Sequence, residues 1–75
     1  MNFTRYSEIV EFLRLERYRQ RLTQKQIAQR ALMTGDTVWR AETGKQDMLA
    51  TTLFRWIRVL GYQIRLVPVG RSRSA

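Results

Sequence analysis

The chain contains no cysteine and no histidine. The first absence excludes disulfide stapling, and the two together remove the side chains of the common zinc sites, so neither metal nor cofactor is expected. Acidic residues are scarce, six against 14 Lys and Arg. With two Asp, four Glu and no glycine-rich phosphate loop, the usual general-base and nucleophile arrangements lack members, which argues against an enzyme. No stretch approaches the roughly 18 apolar residues of a membrane span. The opening MNFTRYSEIVEF has neither the apolar run nor the small-residue cleavage site of a signal peptide. The expectation is a soluble, cytoplasmic protein with no membrane partner.

What is present is positive charge. The net charge of +8 on 75 residues suits a polyanionic partner without saying which. A single domain this short buries only about 60% of its unfolded surface, so a second subunit would add useful stability.

Residues 1–6 read as an N-terminal arm and residues 7–61 as a helical domain, with Ser7 as N-cap of a first helix running to about Arg21. Ile9, Leu13 and Tyr18, with Val10 and Phe12, form its apolar face. Thr23 and Gln26 make a capping-box pattern for a second helix over residues 24–31. Thr34 caps a third, from Gly35 to about Thr43, and Gly44 ends it. Leu53, Trp56, Ile57 and Leu60 recur at helical spacing in a fourth, with Gly61 as its stop. Tyr62, Ile64 and Leu66 alternate with Gln63, Arg65 and Val67 in the period of a strand, assigned to residues 62–69 with Pro68 at its edge. The basic end, residues 70–75, reads as a disordered tail.

Residues 23–44, TQKQIAQRALMTGDTVWRAETG, are the informative segment. Two short helices meeting at a steep angle need a small residue at the contact, which Ala28 supplies, and a β-branched plug, which Val38 supplies. The second helix then presents its first turn to a DNA major groove, which is just wide enough to admit a helix.

The chain here resembles the Cro-type, or XRE, helix-turn-helix family through Arg17, Leu22, Thr23 and Gln24, through Ile27 and Ala28, and through Val38, Arg40, Glu42 and Gly44. The continuation TTLFRWIRVLGYQIRL is similar to the HipB-type antitoxins. The resemblance implies a mainly α, compact, four- to five-helix lambda-repressor-like domain with a C-terminal β-strand for dimerisation. Arg21 and Leu32 stand where the family commonly has glycine. If the backbone turns left-handed there, each Cβ costs roughly 1 kcal/mol.

The resemblance also implies roles. Arg17 and Glu42 fall at positions that pair across the core, the alternative being a solvated Arg17. Gln24 falls where a side chain donates to phosphate, and Thr34, Gly35, Asp36, Thr37, Trp39 and Arg40 lie on or beside the helix that reads bases. Arg40 suits guanine O6 and N7, Asp36 suits cytosine N4, and Gly35 suits close backbone approach. Trp39 has two open readings, against DNA or tucked into the domain. Lys45, with Arg40 and Arg19, either straddles phosphates or only solubilises the surface. Phe54, Trp56 and Tyr62 read as core and dimer contacts in preference to a base-stacking platform, joined at the interface by Ile64 and Leu66.

The expected function is a homodimeric, sequence-specific repressor on a near-palindromic double-stranded operator, of the antitoxin autorepressor type. A cognate toxin kinase is the partner implied by resemblance. The alternatives are a phage or plasmid regulator of the same fold and a basic protein-interaction module.

Overall fold

In the computed structural model, which describes residues 2–70, the chain first turns helical where Glu8 can reach back over the start of the helix. Helix α1 spans Tyr6–Arg19. The Glu8 carboxylate accepts from the backbone N–H of Thr4 at 2.9 Å and of Arg5 at 3.2 Å. It does the capping because the Arg5 guanidinium has no acceptor to offer the first turn. Ser7, expected as the cap, therefore lies inside the helix. Tyr18 also departs from expectation, being 58% exposed. Positions 10, 13 and 17 complete the buried stripe, and Arg17 lies 4.5 Å over the outward-facing Tyr18 ring.

Helix α2, Gln24–Arg30, starts with the expected capping box. Thr23 Oγ1 accepts from Gln26 N–H at 3.0 Å, and Gln26 Oε1 accepts from Thr23 N–H at 2.8 Å. Helix α3, Gly35–Glu42, is capped by Thr34, which accepts from Thr37 N–H at 3.2 Å. Helix α4 spans Ala50–Val59. Leu13, Ile27, Ala28, Val38, Ala41, Leu53, Trp56, Ile57 and Leu60 form one buried cluster to which every helix contributes. Side chains as fully enclosed as Leu13, Ile27 and Val38 each contribute roughly 1.5–3 kcal/mol through burial.

All four helices stop in the same way. The residue after each C-cap is left-handed: Arg21 at φ 59°, Leu32 at φ 58°, Gly44 at φ 75° and Gly61 at φ 93°. The next N–H folds back onto the last turn, from Leu22 to Arg17 O at 3.0 Å, Met33 to Ala28 O at 2.9 Å, Lys45 to Arg40 O at 2.9 Å and Tyr62 to Ile57 O at 3.1 Å. Leu22, Met33 and Tyr62 are thereby turned inward against the core. The conformation is retained without glycine at Arg21 and Leu32 because the returning bond and the inward side chain outweigh the Cβ strain.

Polar contacts then lock the helices together. Tyr6 Oη accepts from Met48 N–H at 3.0 Å, joining the start of α1 to the α3–α4 link. Arg55 Nε donates to Ala31 O at 2.7 Å, so α4 caps the end of α2. Gln20 Nε2 donates to Leu60 O at 3.0 Å and to Glu16 at 3.0 Å.

No strand forms among the described residues, so residues 62–69 do not become a β-element within the subunit. Nothing in the helical body offers a strand whose backbone groups could pair with them. Tyr62 packs edge-on to Phe12, ring centres 5.2 Å apart, and Leu66 is 92% exposed. The expected tail, apart from Gly70, lies outside the described residues.

Two stability predictions follow from these contacts. Replacing Arg21 or Leu32 by glycine relieves roughly 1–2 kcal/mol of left-handed strain and costs part of that in unfolded-chain entropy. Each variant should gain about 0.5–1 kcal/mol, a melting temperature several degrees higher by calorimetry. An unchanged or lower melting temperature would show that the native turns carry no such strain. Separately, hydrogen bonds from Arg19, then Gln20, bring the Glu16 carboxyl from near 4.5 down to about 2. A depressed carboxyl contributes stability that is whole above about pH 4.5 and lost as pH falls toward 2. Glu16→Gln should therefore flatten that acid limb in a pH series of urea melts, whereas an identical limb would assign acid unfolding to other carboxylates.

Candidate nucleic-acid interface

The surface that matters is set from beneath by one ion pair. Arg17 on α1 donates from Nε to Glu42 Oε2 at 2.7 Å and from Nη2 to Oε1 at 2.8 Å, in a two-pronged contact with the last residue of α3. Its Nη1 donates to Leu22 O at 2.9 Å in the α1–α2 turn. The two side chains are only 6% and 4% exposed. Gln24 Nε2 adds a third donor to this carboxylate, 3.0 Å from Oε1, tying in the start of α2. The pair is thus the buried arrangement and not a solvated Arg17. Gln24 is held to Glu42 by one amide proton, leaving the second for an outside acceptor.

With its inner side fixed by Val38, Ala41 and Glu42, α3 turns Asp36, Trp39, Arg40 and Thr43 outward. Trp39 is 44% exposed and so is not tucked into the domain. Thr43 Oγ1 donates to Trp39 O at 2.8 Å, closing the last turn. Thr34 and Thr37 share a hydroxyl contact of 3.0 Å at the first turn. A Cβ on Gly35 would meet nothing within 4 Å, so no contact inside the subunit requires glycine there. Arg40 and Asp36 pair one turn apart, Nε to Oδ2 at 2.6 Å. Asp36 Oδ2 is thereby engaged with Arg40, while Oδ1 has no partner among the described residues.

Pairing also sorts the cations. Glu11 takes Arg14, Glu16 takes Arg19, Glu42 takes Arg17 and Asp36 takes Arg40. Arg19, expected at the phosphates, pairs with Glu16 on its own helix while its side chain stays 69% exposed. Among the described residues Arg5, Arg21, Lys25, Arg30, Lys45, Arg55, Arg58 and Arg65 have no carboxylate partner; of these Arg21 lies in the α1–α2 turn, Lys25 and Arg30 on α2 and Lys45 just past α3. Of these only Lys45 was anticipated. Lys25 and Arg30 could have been found from the sequence, because neither has an acid three or four residues away on α2. Arg55 carried no such signal, since its partner is a backbone carbonyl 24 residues distant.

The expected dimer residues separate. Trp56 is fully enclosed within one subunit, on the inner face of α4, so it offers no surface to a second copy. That corrects its assignment to the interface. Tyr62 is half-buried on Phe12. Phe54, Ile64 and Leu66 are exposed.

Comparison with known proteins agrees with this geometry. Residues 8–66, well over half of the chain, match the family model HTH_31, described as a helix-turn-helix domain. No curated protein matches the chain significantly. Among the described residues no helix is long and apolar enough to cross a membrane, and no group of His, Cys, Asp and Glu is placed to hold a metal.

Removing Glu42 leaves Arg17 enclosed without its counter-charge. Glu42→Ala should lose roughly 3–5 kcal/mol of stability, a large part of what a domain of this size has. A thermal melt within a few degrees of wild type would show that the pair does not hold α1 to α3.

Proposed function

The chain belongs to the helix-turn-helix domain family and is a DNA-binding protein of that type; from that premise we propose that it is a homodimeric transcriptional repressor acting by binding alone. The observation that carries the reading is the outward face of α3, where Trp39 and Arg40 are exposed, with Thr37 in its first turn and cations lacking carboxylate partners on α2 and just past α3 in the chain. Arg40 presents a guanidinium to guanine O6 and N7, and Trp39 offers apolar contact to thymine methyls and sugars. Gln24, Lys25, Arg30 and Lys45 supply phosphate contacts that set the register without reading sequence.

Dimerisation is supported by the apolar side chains left uncovered on and after α4. Phe54, Ile64, Leu66, Val67 and Val69 are all exposed in the single subunit. Residues 63–69 pairing antiparallel with the same segment of a second copy would satisfy their backbone groups and cover these side chains. Two reading helices held about 34–36 Å apart then meet successive major grooves of a near-palindromic operator. Within this class we favour a cytoplasmic autorepressor of the antitoxin type, on the resemblance of the C-terminal region to HipB-type antitoxins. A toxin kinase is the corresponding partner.

Gel shifts and a footprint on the DNA immediately upstream of the coding sequence, against random duplex, test this. Arg40→Ala should cost about 1–3 kcal/mol on the preferred site alone, whereas Arg30→Ala and Lys45→Ala should weaken all duplexes alike and lower the salt slope by about one each. Equal affinity of wild type for every duplex would leave only a basic protein without sequence recognition. Because Tyr62 belongs to the packed body, truncation is placed after it. A chain lacking residues 63–75 should sediment as a folded monomer with much reduced operator affinity. A truncated dimer would move the interface onto the helices.

A further inference from the structure

We propose that Asp36 is a positioning residue for Arg40, so that the carboxylate raises the guanine preference of α3 without contacting a base. The inference rests on the reading of Arg40 as the guanine-reading side chain. Asp36 Oδ2 accepts from Arg40 Nε at 2.6 Å, and Gln46, beyond the end of α3, brings its Oε1 to 3.4 Å from Nη1. The guanidinium is therefore gripped along its inner edge, and Nη2 has no acceptor among the described residues. Gripping Nε leaves the end of the fork, Nη1 and Nη2, for the two acceptors of guanine, with Gln46 as the weaker contact to be exchanged.

A free Arg side chain carries large rotamer entropy that must be lost on binding, and a fork already held by a carboxylate loses less of it. Asp36 acts a second way. Its negative charge beside the DNA backbone weakens binding to every sequence, and only a duplex placing guanine before Arg40 offsets that repulsion. Positioning and repulsion both widen the gap between the right site and the wrong one. The alternative, Asp36 accepting from cytosine N4 through its second oxygen, would set a cytosine preference at a separate base pair, which the test distinguishes. Both side chains are half or more exposed, and an exposed pair one turn apart contributes little to folding, so variants at Asp36 stay folded.

The test is selection from a randomised duplex pool by full-length wild type, Arg40→Ala, Asp36→Ala and the double variant, with preference read at each base pair. Wild type should prefer guanine about tenfold or more at one pair per half-site, and Arg40→Ala should lose that preference. Asp36→Ala should reduce it severalfold at the same pair while binding random duplex more tightly at low salt, and the double variant should match Arg40→Ala. Asp36→Glu should restore part of the preference and Asp36→Asn should not, which a merely structural role would not produce. If Asp36→Ala alters a different base pair, or leaves the guanine preference intact while Arg40→Ala abolishes it, the positioning role is overturned and the DNA reading stands. A wild-type chain that selects no sequence overturns both.

Discussion

The Arg17–Glu42 pair is the constraint on which the interface depends. A guanidinium and a carboxylate taken out of water must be matched nearly donor for acceptor, because each unpaired charge costs several kcal/mol. Here the matching uses Arg17 Nε, Nη1 and Nη2, the Glu42 carboxylate, the Leu22 carbonyl and the Gln24 amide. These groups belong to α1, the α1–α2 turn, the start of α2 and the end of α3. Few relative placements of those elements satisfy them all at once, and the roll of α3 about its axis is settled with them. Val38 and Ala41 face the core on the same side as Glu42, and Trp39 and Arg40 are left facing out.

The pairing pattern turns a crude excess of positive charge into a patterned surface. Short-range acids on the same helix neutralise Arg14, Arg19 and Arg40, while α2 bears Lys25 and Arg30 with no acid within a turn. Cations that are not drawn into pairs retain their full attraction for phosphate. The paired Arg40 has a different task. Its charge is already partly answered by Asp36, which suits it less to phosphate and, on the proposed function, more to base edges.

The helix ends show how local strain is accommodated. Two of the four left-handed stops use glycine and two do not. The latter flank α2, where Leu22 and Met33 must turn inward immediately afterwards. Arg55 reinforces the second of them from α4 by capping the Ala31 carbonyl. The α2–α3 turn is thus supported from α4.

The sequence by itself determined the order of the helices found among the described residues, the α2 and α3 caps, the core positions Ile27, Ala28, Val38 and Leu53, and the helix-turn-helix segment. These follow from short-range hydrogen bonding and the 3.6-residue period, which need no knowledge of distant neighbours. It did not determine that Ser7 yields the first cap to a reach-back from Glu8, that Tyr18 faces solvent, or that Arg19 pairs with Glu16. Nor did it place Trp56 wholly inside one subunit, bind Gln24 to Glu42 or recruit Arg55 to the end of α2. Each of those turns on which of several physically adequate partners lies nearest in three dimensions. Only the packing of the four helices decides that, because a side chain's partner is chosen by distance and burial and not by its place along the chain.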